Sequence, residues 1–402
     1  MAKRLLLIAE TTGYQIRVFA GAARRIGAEV TLATDRCHRM DDPWGDHAVA
    51  VKFGQIAESV QALRGKRYDG VAAVGDRPAV LAAHAAEALS LRFHPAAAAR
   101  ACHDKLWARE LYARAGMRVP RFYEIGSAAD ADRVEYPCVL KPLGLSASRG
   151  VIRANDADEF RGAYARIRRM GEHRVHAERY IPGREFAVEG LVTGGRLHVL
   201  ALFDKPDPME GPYFEETIYT TPSREPERVQ QELIETTAAA VHALGLRHGP
   251  MHAELRHNDQ GAWMLETHAR PIGGLCGRAL RFDGGMPLEE LILRHSLGED
   301  VSLVRREEQA AGVMMIPIPR DGVYEEVEGI ECAKAVAGVE DVVITAKQAQ
   351  RLVKLPEGAS YLGFIFARGE SADEVEAALR AAHTELRFEI ATALETMAPT
   401  VR

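Results

Sequence analysis

In "WMLETHARPIGGLCGRA" (residues 263–279) a carboxylate, an imidazole and a guanidinium stand at alternating positions: Glu266, His268 and Arg270. Alternate residues of a β-strand share a face, so an extended chain here points all three the same way. Upstream, "MHAEL" places His252 and Glu254 two residues apart in the same fashion. The polar segment "HNDQG" (257–261) reads as the turn between two strands, and a hairpin so paired gathers all five side chains on one surface. Two carboxylates on neighbouring strands suit Mg²⁺, which wants octahedral oxygen ligands and takes one or two carboxylates, with phosphate oxygens and water for the rest. A guanidinium beside them suits phosphate or carboxylate in bidentate fashion. The stretch is a candidate wall of a Mg–nucleotide site. Spacing alone leaves the other reading open, an exposed antiparallel face of alternating charge.

The flanking elements determine what the hairpin can meet. Residues 1–92 alternate short apolar strands with amphipathic helices: "RLLLIAE" strand, "YQIRVFAGAARRIG" helix, "AEVTLAT" strand, "FGQIAESVQALRG" helix, "YDGVAAVGD" strand and "PAVLAAHAAEAL" helix. That alternation predicts a parallel α/β sheet. A lone Gly13 after the first strand is no G-x-G-x-x-G, so no dinucleotide site is expected. "AAAARACHDKLWARELYARAG" (96–116) reads as helical and carries Lys105. "YPCVLKPLGLSASRGVIRA" is strand-like and ends a strand at Lys141, ahead of a loop of small residues. Such a loop can bind phosphate through backbone N–H groups and an ammonium. "HAERYIPGREF" sets Glu178 and Glu185 around a Pro-Gly turn, and "ERVQQELIETTAAAVHALGL" is a long helix. From about residue 310 a further unit begins, with short strands, turns and a closing helix over "SADEVEAALRAAHTELRFEIATAL".

A chain of 402 residues predicts two or three domains. Its formal net charge of −6 offers no basic field for a phosphate backbone, which argues against nucleic acid as a partner. No apolar run approaches a membrane span, and the basic start "MAKRLLLIAE" is too short in its apolar part for a signal segment. Five scattered cysteines without a C-x-x-C pair fit a reduced, cytoplasmic protein rather than a disulfide framework.

Taken in order, Lys105, "VLKPLGLSASRGV", "AERYIPGREF", "MHAEL" and "LETHARPIGG" resemble the ATP-grasp superfamily over roughly residues 93–300. The C-terminal segments "VEGIECAKAVAGVEDVVI" and "YLGFIFARGESADEVEAALRAAH" resemble the small terminal domain of L-amino acid ligases and biotin-carboxylase-like members. The fold implied is α/β and α+β, with three parts. They are an N-terminal parallel α/β domain (1–92), a central two-lobed ATP-grasp domain (93–305, its lid about 120–183) and a small C-terminal α+β domain (306–402). In that superfamily ATP lies between two α+β subdomains, its phosphates under a mobile loop. The resemblance then implies a role for each matching position. Lys105 and Lys141 are the phosphate lysines, and the loop is 144–150 with Ser146 and Ser148 inside it. Glu178, Arg179 and Ile181 are the adenine hinge, met mostly through backbone groups, and Glu185 is the ribose acid. Glu254 and Glu266 bridge Mg²⁺, for which Mn²⁺ is an acceptable substitute, and Arg270 steadies the transferred phosphoryl group or the acyl phosphate.

Two positions depart from the family pattern. His268 stands where Asn is common, and imidazole is a poor Mg²⁺ ligand beside oxygen. It therefore contacts phosphate or substrate, or leaves metal binding to the two acids. The loop is also poor in Gly; Arg149 inside it either covers the γ-phosphate or faces solvent, with solvent preferred. The activity implied is ATP-dependent carboxylate–amine ligation through an acyl phosphate, on amino acids or related small molecules. The alternatives are a biotin-carboxylase-like or purine-biosynthetic ligase using carboxyphosphate, and a nucleotide-binding regulatory protein without turnover. Related enzymes are often homodimers.

The remaining candidates have bland counterparts. His252 either orients substrate or moves the amine proton, or is a satisfied structural histidine. "FDKPDPMEGPYFEETIYTTPS" reads as a long loop bearing Lys205, Glu215 and Glu216, placed near nucleotide or substrate. Gly273 and Gly274 allow close backbone approach to a ligand, or form a plain turn. Arg278 binds a substrate carboxylate or makes a surface ion pair, and Cys276 reads as small core filler.

Overall fold

A computed structural model describes residues 2–10, 15–35 and 48–393; Gly13 lies outside them. The chain forms two compact units. The first comprises residues 1–122, 181–205 and 221–308, the second residues 123–180, 206–220 and 309–402.

The first unit opens with the expected parallel sheet. Strands Arg4–Ala9, Glu29–Thr34, Val49–Ala50 and Gly70–Val74 pair in parallel, with Arg4–Ala9 between the second and the fourth. The strand Gly70–Val74 is buried throughout, as fits a parallel strand covered on both faces. It leads at once into the helix Asp76–Leu89 through Gly75 at φ 100°, a turn that L side chains rarely adopt. The helical stretch over 96–116 is two helices, Ala96–His103 and Lys105–Arg114. The break falls at Asp104, whose extended backbone frees its carboxylate to accept from the N–H groups of Leu106 (3.1 Å) and Trp107 (3.2 Å). That cap places Lys105 on the first helical residue.

The same unit holds four long antiparallel strands, in spatial order Gly261–His268, His248–Asn258, Arg184–Thr193 and Arg196–Lys205. The helix Glu227–Leu244 buries Val229, Leu233, Ala240, Val241 and Leu244, a stripe at helical spacing, and ends on Gly245 at φ 73°. Leu233 is fully buried, so Leu233→Ala costs about 2–5 kcal/mol. This core is continuous with Met251, Ala253, Leu255, Ala262 and Met264 of the hairpin. The hairpin's inner face is therefore fixed by packing, and its other face carries the polar residues.

In the second unit the sheet order is Phe122–Ile125, Val175–Arg179, Cys138–Pro142 and Ile152–Ala154, packed on the helix Ala157–Arg169 through Phe160, Ala163 and Ile167. Its other part pairs Ala310–Ile316 with Gly363–Gly369, and the latter with Val339–Ile344. The helix Ala372–Glu385 covers them, with Val375, Leu379 and Ala382 buried.

Two expectations are corrected. The closing helix stops at Glu385, and Arg387–Ala391 is a strand paired antiparallel with Gly322–Glu328. Phe388 and Ile390 alternate with charged residues there and pack against the core, a period of two that outweighs the helix-favouring composition around it. The supposed loop over 203–223 begins as the end of strand Arg196–Lys205 and finishes as strand Ile218–Thr221. Residues 206–217 and 222–223 are irregular.

Candidate active site

The predicted hairpin forms: His252 lies opposite His268, and Glu254 opposite Glu266, before a bulge resets the pairing. Around the two acids the first unit arranges a set of cations. Lys105 Nζ lies 3.8 Å from Glu266 Oε2, and Lys205 Nζ lies 3.4 Å from Glu254 Oε2. Both acids keep about a fifth of their side-chain surface exposed, so the cross-strand pair can still reach a ligand. Lys205 also holds Glu185 at 2.8 Å, and Arg256 Nε donates to the same carboxylate at 3.0 Å. Burial would push the Glu185 carboxyl up, but Lys205 and Arg256 outweigh it and hold it below the usual range. Arg256 Nη1 further donates to the Ile181 carbonyl at 2.7 Å, which ties the Pro-Gly turn to the hairpin.

Each hairpin histidine sits between two carboxylates. His252 Nδ1 is 3.1 Å from Glu189 Oε2, and its Nε2 is 3.6 Å from Glu254 Oε1. His268 Nδ1 is 2.9 Å from Asp76 Oδ1, and its Nε2 is 3.5 Å from Glu266 Oε2. The rings lie 6.0 Å apart, nearly parallel. Their protonation tendencies diverge. Burial pulls the His252 imidazole down, against the opposing pull of Glu189. Burial and Arg270 also depress His268, but Asp76 and the hydrogen bonds to Asp76 and Glu266 outweigh them and raise it. For Asp76, burial alone would raise the carboxyl; Arg270 and then His268 hold it well below the usual range.

Arg270 donates Nε to Asp76 Oδ1 at 2.9 Å, Nη2 to Asp76 Oδ2 at 3.4 Å and Nη1 to the Pro271 carbonyl at 3.0 Å. A guanidinium has five N–H groups, so three are engaged this way and the rest of its terminal edge can meet an oxyanion. Glu189 also accepts from Ile272 N–H, at 3.1 and 3.2 Å, fixing the turn that leads to Gly273 and Gly274. Gly274 has φ 59° and needs glycine's freedom, whereas a Cβ on Gly273 would meet open space. Arg278 stands in the short 3₁₀ turn Cys276–Ala279, and Cys276 is buried there as core filler.

The second unit carries the other candidates. Lys141 Nζ is 2.9 Å from Glu178 Oε2, whose other oxygen lies 3.0 Å from His176 Nε2, and all three side chains are buried. The Glu178 carboxylate is thus already occupied, which leaves its backbone as the group for a hinge contact. Arg179 is exposed. In the 144–150 loop, Ala147 and Ser148 both have φ 55°, a left-handed pair that makes the chain double back. Ser146 is exposed and Ser148 half-buried. Arg149 does not face solvent: its Nε donates to the Glu357 carbonyl at 3.0 Å, and Gly150 N–H to the Pro356 carbonyl at 2.9 Å. Glu216 accepts from the Tyr219 hydroxyl at 2.7 Å.

Reasoning from sequence missed Asp76, Glu189, Arg256 and His176. Asp76 is 192 residues from His268 in the chain; its only local signal is an acid at a strand-to-helix turn. Glu189 and Arg256 did lie at even spacing from Glu185 and Glu254, on strands whose pairing the hairpin alone does not define.

Residues 134–279 match the ATP-grasp domain family, and residues 314–391 match the family described as L-amino acid ligase C-terminal domain 2. Among solved structures, an L-amino acid ligase from Bacillus licheniformis is similar at a TM-score of 0.82 and 27% identity, over 96% of this chain and 98% of that one. An N5-carboxyaminoimidazole synthase from Aspergillus clavatus shares the fold at a TM-score of 0.72 and 17% identity, over 95% and 97% of the two chains. A D-alanine–D-alanine ligase from Bordetella petrii is 28% identical over 178 residues, 42% of this chain and 54% of its own. A Sinorhizobium fredii protein of uncharacterized function is 24% identical over 299 residues, 72% of this chain and 61% of its own. The chain thus spans between half and two thirds of the length of these two curated relatives. The fold is ATP-grasp, mixed α/β with a parallel N-terminal sheet, a large antiparallel sheet and a C-terminal domain. Among the described residues no helix is long and apolar enough to cross a membrane.

Proposed function

From a chain that carries an ATP-grasp domain and an L-amino acid ligase C-terminal domain, we propose an ATP-dependent carboxylate–amine ligase that forms an amide, ADP and phosphate through an acyl phosphate. The observation that carries the reading is the hairpin. Glu254 and Glu266 stand opposite one another, each about a fifth exposed, with Lys105, Lys205 and Arg270 around them. All-oxygen donors of this kind fit a hard divalent cation. Glu254 and Glu266 would hold Mg²⁺, which supplies charge neutralisation for phosphoryl transfer when bound.

The chain's own residues do the rest. A substrate carboxylate oxygen attacks the γ-phosphorus; a C–O–P linkage forms and the bond to the ADP oxygen breaks. Lys105, Lys141 and Arg270 offset the negative charge that gathers on the moving group. An amine then attacks the acyl carbon, phosphate leaves, and the amine gives up a proton. His252, kept neutral by burial with Nδ1 directed at Glu189, is the group we assign to orient the amine or take that proton. The 144–150 loop, with Ser146 and Ser148, contacts the phosphates and excludes water, which would hydrolyse the acyl phosphate. Glu178, Arg179 and Ile181 serve the adenine through backbone groups, and Glu185 the ribose. Gly273, Gly274, Arg278, Lys205 and Glu216 are assigned to substrate.

The division at 92/93 and 305/306, a cytoplasmic setting and a homodimer belong to the same proposal. A phosphate-release screen of amino acid pairs, with product masses, tests it. Amine-dependent release of ADP without bicarbonate supports the ligase. Release that requires bicarbonate points to a carboxyphosphate enzyme, and no release with any carboxylate overturns catalysis of this class.

A further inference from the structure

We propose that Asp76 is a positioning residue for the reaction. It aims the Arg270 guanidinium and fixes the His268 ring through one carboxylate delivered from the N-terminal sheet. The inference rests on the reading of Arg270 as the group that meets the transferred phosphoryl or the acyl phosphate.

Three contacts carry it. Asp76 Oδ1 accepts from both Arg270 Nε and His268 Nδ1 at 2.9 Å, and Oδ2 accepts from Arg270 Nη2 at 3.4 Å. A carboxylate acting through both oxygens on the Nε–Nη2 edge leaves a guanidinium only its other edge and end for a further anion, so the acid decides which way the fork opens. The same oxygen requires a proton on His268 Nδ1. That places Nε2 toward Glu266 and settles the ring orientation, as an outer carboxylate does for a ligating histidine.

The location argues for more than stability. Asp76 is the first residue of the helix Asp76–Leu89, at the end of the fully buried strand Gly70–Val74. Gly75 at φ 100° turns the chain there, so that Asp76 follows the end of the sheet. The other hairpin histidine, His252, has a comparable acid in Glu189 of the neighbouring strand, which bonds the imidazole and the Ile272 N–H but, among the described residues, makes no guanidinium hydrogen bond. Asp76 is thus the acid that couples a histidine to a guanidinium.

The substitutions Asp76→Asn and Asp76→Ala test this. Asn keeps the size and one oxygen for Arg270 Nε and His268 Nδ1 but loses the charge and turns an amide N–H₂ toward Arg270 Nη2, whereas Ala removes all three contacts. In the full-length protein, kcat for phosphate release should fall about 10–100-fold, with KM for ATP unchanged and the folded far-UV spectrum retained. The second readout is the long-range ¹H–¹⁵N spectrum of the histidines, with His268 assigned by its loss in His268→Asn. Wild type should show His268 protonated at Nδ1, and Asp76→Ala should shift that signal toward a mixture of tautomers. An unchanged His268 signal together with unchanged kcat in both variants overturns the proposal. A fall in KM-dependent binding alone, with kcat and the His268 signal intact, overturns it as well. If wild-type protein releases no phosphate with any substrate, the ligase reading fails, and the imidazole spectrum still decides whether Asp76 sets the tautomer.

Discussion

Protonation of His94 should loosen the strand that carries His252 and Glu254. His94 is almost fully buried. Its Nε2 lies 2.9 Å from the Pro250 carbonyl, and its Nδ1 accepts from Arg247 N–H at 3.2 Å. Both partners belong to the entry into strand His248–Asn258, so the neutral ring, protonated at Nε2, staples that entry. Burial pulls the imidazole from its ordinary 6.5 down to about 4, only partly opposed by the Pro250 carbonyl. A histidine depressed in the folded state contributes stability that is complete above pH 6.5 and lost as pH falls. Below pH 6.5 the unfolded chain takes up a proton that the folded chain refuses, at about 1.4 kcal/mol per pH unit. The descent from 6.5 to pH 5 therefore costs about 2 kcal/mol, and the loss stops growing near pH 4. Other groups titrate in the same range, so the test is a difference. His94→Gln can reproduce one donor and one acceptor without a charge. Urea unfolding followed by tryptophan fluorescence, at pH 7 and pH 5, should show wild type losing about 2 kcal/mol more than the variant. Equal losses in the two proteins would refute the assignment of a neutral, stapling His94.

Glu266→Gln should nearly abolish phosphate release, more than the about 10–100-fold expected of an outer-shell change, with the fold intact; normal turnover at limiting Mg²⁺ would remove Glu266 from the metal assignment. His268→Asn should keep much of the activity, because Asn offers one donor and one acceptor. His268→Ala should cost about 2.7–4 kcal/mol in kcat/KM if the ring stabilises developing charge, and an Ala variant that matches wild type in turnover and both KM values would make the histidine a bystander.

The hairpin was legible in the sequence because its signal is local. Alternation of His252 with Glu254, and of Glu266 with His268 and Arg270, is a period-two pattern bounded by a polar turn, and the pairing followed. The parallel N-terminal sheet was legible for the same reason. What escaped reading depends on distant partners. Asp76 gives no hint that it meets Arg270, nor Glu189 that it meets His252, until the strands are ordered. The strand Arg387–Ala391 hid behind a helical composition, since five residues of alternation are a weak signal beside the helix that precedes them. The local sequence around Arg149 suggests a solvent-facing side chain because its tie to the Glu357 carbonyl joins residues far apart in the chain.

In the proposed reaction a carboxylate is activated by phosphorylation before the amine attacks. The direct measurement is the fate of oxygen. Amino acids labelled with ¹⁸O in the carboxylate are incubated with ATP, Mg²⁺ and a second amino acid, and the released phosphate is analysed by mass. Attack of the carboxylate on the γ-phosphorus predicts one ¹⁸O transferred to phosphate for each amide formed, with ADP as the nucleotide product. Unlabelled phosphate in stoichiometric amount with the amide, or AMP in place of ADP, would contradict the account.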